Sequence, residues 1–217
     1  MMFEESRLEF MIRWYLYRRR NNKHHRRMEY EFYKLMDATS PGIFVDLGAN
    51  FGTVTAKALE YGHKVYAFEP DPFAFRKLHE CVGSNPNAVI VPKAVGASKR
   101  TATFFRRPDV ETGHFSKISS LIPHDQHHGG VEVEVEVVDI VDFLRALPQP
   151  PSVIKMDIEG AEAECLEAIL DAGLHRSIGM MLVETHECFS PEIADRLDRI
   201  RARIAAEAIC NINLEWI

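Results

Sequence analysis

Ile43 to Pro70, IFVDLGANFGTVTAKALEYGHKVYAFEP, reads as a short apolar strand, a glycine turn, a helix and a second strand that closes on an acid. That order is one half of a nucleotide-binding α/β unit. Ile43, Phe44 and Val45 form the apolar run of a buried parallel strand. Gly48 and Gly52 mark a backbone that turns sharply and admits a close ligand. The second run, Val65 to Phe68, ends at Glu69, roughly 20 residues beyond the glycines, where a parallel sheet offers a carboxylate to ribose hydroxyls. The expected ligand carries an adenosine-like group.

The glycine spacing and Asp46 narrow that ligand. A dinucleotide fingerprint reads G-x-G-x-x-G and faces an anionic pyrophosphate, whereas this turn reads G-A-N-F-G with an acid two residues ahead of the first glycine. A carboxylate there repels a pyrophosphate and suits a cationic ligand end, such as the α-amino group or sulfonium of S-adenosylmethionine. The plain structural alternative is another doubly wound protein in which Asp46 caps the helix.

A second polar cluster lies farther along. Val153 to Met156 is a short apolar run leading into Asp157, Ile158, Glu159, Gly160, Ala161 and Glu162, and Cys165 to Leu170 continues at helical spacing. Gly179 to Val183 repeats the pattern and ends in Glu184, Thr185, His186 and Glu187. Ligands of open α/β sheets bind outside the carboxyl ends of the strands, so these residues are expected to converge beside the glycine turn. The plain alternative is helix capping by Asp157 and Glu159 and a solvated strand end at Glu187.

With VDLGANFG, the acid of AFEPDP, IKMDIEGAE and MLVETHE in order, the chain resembles the FkbM family of S-adenosylmethionine-dependent methyltransferases over roughly Gly42 to Glu187. The resemblance implies a Rossmann-like class I methyltransferase fold: α/β, with a mostly parallel central sheet and helices on both faces. It implies that Asp46, Gly48, Asn50 and Gly52 line the methionine end of the cofactor and that Glu69 holds the ribose, with Pro70 and Ala94 counted among the cofactor-binding residues. Asp157 and His186 would border methyl transfer. Ser119 and Ser120, ahead of a valine-rich strand, are assigned with Glu159 and Glu184 to the substrate. Two departures are Glu167, where a small residue is expected, and a short region after Glu187.

Composition agrees. A chain of 217 residues, 46% hydrophobic, suits one main core, divided here into an N-terminal helical extension over 1–40 and a methyltransferase domain over 41–217. A net charge of −6 argues against a nucleic-acid partner. Cys81, Cys165, Cys188 and Cys210 lack metal-like spacing and read as reduced thiols of a cytoplasmic protein. No run approaches the roughly 18 apolar residues of a membrane span, so no stable membrane insertion is expected.

Leu8 to Leu35 mixes aromatic residues at helical spacing with basic residues from Arg18 to Arg27; it is read as a solvated helix face whose aromatic side covers the substrate cleft or a homodimer contact. Arg106 to Gly130 is polar and holds His114, His124, His127 and His128, a loop long enough to act as a lid. The HDQHHGG stretch is not taken as a metal site, because clustering without a rigid element does not fix ligand geometry. Val131 to Val138 alternates valine with glutamate, a half-buried strand; Asp139 to Leu147 is a short helix; Pro191 to Ala208 is an amphipathic helix; and Ile212, Leu214 and Trp216 alternate as a closing strand.

The expected function is O-methylation of a hydroxyl on a small molecule or glycan. The sulfonium carbon is already electrophilic, so the protein's work is alignment, water exclusion and removal of the hydroxyl proton. His186 is the first choice of base and Asp157 the second; Asp157 with Glu184 would alternatively hold a magnesium ion, though hard cations prefer three or more oxygen ligands. Two other classes share these motifs: a nicotinamide-dependent Rossmann oxidoreductase, and a non-catalytic S-adenosylmethionine-binding protein.

Overall fold

The computed structural model describes residues 30–106, 119–122 and 130–216. These fall into two compact units, one ending at Thr39 and one spanning Ser40–Trp216. The first shows a helix, α1, over 30–38, which Thr39 closes by donating its hydroxyl to the Leu35 carbonyl at 2.7 Å. The basic run before it and the histidines of the HDQHHGG stretch lie outside the described residues, as does most of the loop after Arg106.

The second unit runs β1 (Ile43–Leu47), α2 (Thr53–Glu60), β2 (Lys64–Phe68), α3 (Pro72–Val82), β3 (Ala88–Val91), β4 (Ala94–Gly96), β5 (Arg100–Arg106), β6 (Val131–Asp139), α4 (Ile140–Ala146), β7 (Val153–Met156), α5 (Glu162–Asp171), β8 (Met180–Val183), α6 (Pro191–Ala206) and β9 (Ile212–Asn213). Six strands form a sheet in the order β3-β2-β1-β7-β8-β9, and every pairing is parallel. The order reverses beside β1, whose neighbours are β2 and β7, so the crevice for a ligand opens at the carboxyl ends of β1 and β7. The expected Rossmann-like α/β fold is the fold observed.

Strand alternation explains the two faces. Ile43, Val45 and Leu47 join Ile154, Met156, Met181 and Val183 in one core with residues of α4, α5 and α6. Tyr66 and Phe68 face the same way, each edge-on to the Phe143 ring of α4. The opposite face carries Phe44, Val65 and Ala67, all buried, and with them Asp46 and Lys155. Glu167 on α5 answers Arg196 on α6 through two hydrogen bonds of 3.2 and 2.6 Å, which accounts for an acid where a small residue was expected.

A smaller sheet, β4-β6-β5, buries Ala94, Phe104, Val135 and Val137 and leaves the glutamates of β6 exposed, as the alternation predicts. Asp139 ends β6 and caps α4 by accepting from the amides of Val141 and Asp142. The closing strand is shorter than its pattern predicts. Only Ile212 and Asn213 pair with β8, while Trp216 is buried beyond the strand's end.

Candidate active site

The glycine turn after β1 is held by its neighbours. The amides of Gly48 and Ala49 both donate to the Phe68 carbonyl at the end of β2, at 3.0 and 2.9 Å. Gly48 sits at φ +78°, and a Cβ there would lie 1.7 Å from the Asp157 carbonyl oxygen, so glycine is required by the close approach of the turn after β7. Asn50 and Glu159 also occupy the left-handed region, at φ 49° and 55°, one in each facing turn.

Glu69 is buried and doubly anchored: Oε2 accepts from the Asn50 amide and Oε1 from the Asp71 amide, both at 2.8 Å. Burial pushes its carboxyl up to about 7 against the pull of those two amides. Pro70 lies between these anchors, partly buried. Asp71 caps α3 through Oδ1 and pairs with Arg106 through Oδ2, 2.6 Å from Nε. The serines assigned to the substrate are both buried. Ser119 Oγ donates to Asp71 Oδ2 at 3.4 Å, and the Ser120 hydroxyl donates to the Glu159 carbonyl while accepting from the Ile122 amide. Ala94 packs in the core of the small sheet.

Asp46 is wholly buried and caps no helix. Its Oδ2 accepts from Thr55 Oγ1 at 2.6 Å, and its Oδ1 has no hydrogen-bond partner among the described residues. Parallel register sets it beside Lys155, whose ammonium stands 3.4 Å from Asp46 Oδ1 and 3.4 Å from Asp157 Oδ2 and donates to the Gly48 carbonyl at 2.6 Å. Burial opposes the charge of Lys155, but Asp157, Asp46 and Glu184 outweigh it and hold the ammonium above its ordinary range. The sequence signal for Lys155 is a charge inside an otherwise apolar, buried strand, which demands a partner.

The carboxyl ends of β7 and β8 bring His186 among acids. Nδ1 lies 3.0 Å from Glu162 Oε1, and Nε2 lies 3.3 Å from Glu159 Oε2 and 4.0 Å from Glu184 Oε1. Burial disfavours a charged ring, yet the Glu162 hydrogen bond and charge, then Glu159 and Asp157, raise the imidazole to about 10. Burial raises Glu159 to about 8 against the pull of His186, with Asp157, Glu162 and Glu184 adding to the rise. Burial and Asp157 raise Glu184 to about 7. Neither Asp157 nor Glu159 caps α5, which starts after Ala161 without a side-chain cap.

Atoms of Asp157, Glu162 and His186 all lie within 4.8 Å of one another, a spacing that a metal ion would accept. The donor set does not fit one. Both Glu162 oxygens already accept backbone amides, and Nδ1 of His186 bonds to Glu162 itself. The acid-rich edge fits a cationic cofactor better, and Glu69, fixed at the end of β2, fits the diol of a ribose.

Residues 46–208 match the family model for the methyltransferase FkbM domain, a span that takes in the glycine turn and both acidic turns. The chain belongs to the FkbM methyltransferase family. Among curated proteins it is similar to the hexuronic acid methyltransferase AglP of Haloferax volcanii, 27% identical over 164 residues, which are 75% of this chain and 64% of that protein. The chain thus spans less than two thirds of that relative's length. No solved structure matches it. Within the FkbM domain, every residue of the acid and histidine cluster falls inside the matched span. Among the described residues, no helix is long and apolar enough to cross a membrane.

Proposed function

We propose that this chain transfers the methyl group of S-adenosylmethionine to a hydroxyl of a glycan or another small molecule. The observation that carries the reading is the meeting, at the carboxyl ends of β1, β2, β7 and β8, of the glycine turn, the anchored Glu69 and the His186 cluster. When bound, the cofactor supplies an electrophilic methyl carbon on a cationic sulfur. Glu69 accepts from the ribose hydroxyls, Gly48, Asn50 and Gly52 shape the backbone at the methionine end, and Asp46 acts from beneath through Lys155. Asp157 and His186 border the transfer, and the cluster receives the hydroxyl proton.

A sugar acceptor is supported by the similarity to a hexuronic acid methyltransferase. A hydroxyl, rather than a carboxylate, is supported by the site's basic groups: a hydroxyl needs a general base and a carboxylate does not, and the carboxyls of Glu159 and Glu184 are raised to about 8 and about 7, where such a base works.

Calorimetric titration with S-adenosylmethionine and its demethylated product comes first, with Glu69→Ala beside the wild type. Saturable binding weakened in the variant is expected; a folded wild type that binds neither compound sinks the reading. An acceptor panel of neutral sugars and uronic acids with labelled cofactor follows. The expected label sits in a methyl ether that survives mild alkali, and label released by that treatment would instead mark an ester.

A further inference from the structure

Glu162 opens α5 and is wholly buried. Its Oε1 accepts from the Ile158 amide at 2.9 Å and from His186 Nδ1 at 3.0 Å, while Oε2 accepts from the Gly160 amide at 2.9 Å. One carboxylate therefore closes the turn after β7 and grips the ring that follows β8. We propose that Glu162 is the positioning residue of this site and fixes the His186 imidazole as a two-way hydrogen-bond donor rather than as a base. The catalytic meaning of this assignment rests on the methyltransferase reading; the positioning itself does not.

A carboxylate facing Nδ1 requires a proton on Nδ1. Nε2 faces a second carboxylate, Glu159 Oε2 at 3.3 Å, with Glu184 beyond it at 4.0 Å. Nε2 and Glu159 Oε2 have room for one hydrogen between them, and the charges of Glu162 and Asp157 hold it on the ring, so both nitrogens carry hydrogen. The Phe189 ring, tilted 33° at 5.0 Å between centroids, covers the imidazole and offers no acceptor. The charged groups facing His186 or its partners are Glu162 on α5, Asp157 and Glu159 in the turn after β7, Glu184 after β8, and Lys155 on β7, which is drawn toward Asp157 and Glu184. Among the described residues four acids surround the ring, and the neighbouring Lys155 is already drawn to two of them, Asp157 and Glu184.

A ring that holds both protons cannot take a third. The acceptor's proton then falls to Glu159 in its ionised form, the form it takes as pH rises through about 8: the O–H bond would break toward its carboxylate, the oxygen would form its bond to the methyl carbon, and the carbon–sulfur pair would return to sulfur. The charge of the sulfonium and that of the carboxylate disappear together, so no new charge is left in the buried cluster. His186, pinned by Glu162, keeps the Glu159 carboxylate aimed throughout.

The test needs neither cofactor nor acceptor. Nitrogen-15 NMR of the His186 ring is followed against pH in the full chain. In the wild type both ring nitrogens are expected to carry hydrogen at pH 8; a bare Nε2 at that pH overturns the proposal. In Glu162→Gln, of the same size, the midpoint is expected to fall by more than one pH unit, while a folded variant with an unmoved midpoint also overturns it. Should the variant not fold, the wild-type spectrum alone decides. Failure to bind S-adenosylmethionine would refute the functional reading and leave this titration unaffected.

Discussion

Lys155 Nζ stands 3.4 Å from Asp46 Oδ1, with both side chains buried under the glycine turn. The cation that Asp46 meets directly is thus the protein's own. Lys155 also donates to the Gly48 carbonyl, so the pair ties the charge beneath the turn to the turn's shape. Replacing Lys155 with methionine leaves the buried Asp46 uncompensated, and a loss of about 3–5 kcal/mol of folding stability is expected in denaturant titration. A change below about 1 kcal/mol would mean that Asp46 becomes neutral or finds another partner.

Gly48→Ala is expected to cost more than the strain of its backbone. A left-handed alanine costs about 1–2 kcal/mol, and here the new methyl would also meet the Asp157 carbonyl at 1.7 Å. The two turns of the site must part. Loss of S-adenosylmethionine binding together with a lower melting temperature is the expected result, and calorimetry on the folded variant with unchanged affinity would contradict it.

The strand, turn, helix and acid from Ile43 to Glu69 were legible because each depends on near neighbours: apolar runs, glycines and a strand's end. The pairings that organise the site depend on register across distant segments. Lys155 meets Asp46 only because β7 lies beside β1, and Arg106 meets Asp71 only because the end of β5 reaches the residue that caps α3. Asp157, Glu159 and His186 were legible as a polar cluster at strand ends. That Glu162 would hold the cluster was not, although an acid at the first position of a helix after a glycine turn is the kind of residue that gathers free amides. Ser119 and Ser120 were marked only by the family resemblance, and their bonds to Asp71 and the Glu159 carbonyl tie this segment to the cap of α3 and to the turn after β7.

The acids with raised pKa values predict how stability responds to pH. Glu159 is raised from 4.5 to about 8 and His186 from 6.5 to about 10, so the folded chain binds more protons than the unfolded chain in those windows. The contribution of Glu159 is complete below pH 4.5 and is lost as pH rises through about 8; that of His186 is complete below pH 6.5 and is lost through about 10. Thermal melts at pH 6 and pH 9 without ligand are expected to show a lower melting temperature at pH 9. Glu159→Gln should shrink that difference, and a variant as pH-sensitive as the wild type would place the effect elsewhere.

Glu159→Gln also separates chemistry from binding. The amide cannot take the hydroxyl proton, and loss of a general base lowers transfer by about 10²–10⁴-fold. Because Glu69 and the glycine turn are untouched, affinity for S-adenosylmethionine is expected to stay within about twofold. Single-turnover rates and calorimetry on the same preparation check both, and a folded variant that retains the full rate removes Glu159 as the proton acceptor.

Arg106 joins the small sheet to the turn between β2 and α3. Its guanidinium reaches Asp71 at 2.6 Å through Nε and 3.3 Å through a terminal nitrogen, with the two side chains 9% and 1% exposed. The amide of the same Asp71 anchors Glu69 Oε1. Arg106→Ala strands a buried carboxylate next to the residue proposed to hold the ribose, so two losses should appear together: about 3–5 kcal/mol of stability and weaker binding of S-adenosylmethionine. Arg106→Lys supplies the charge without the planar fork, and it is expected to restore part of the stability but not the affinity. Full recovery of both by lysine would show that charge alone, and not the two-point grip on Asp71, sets the position of Glu69.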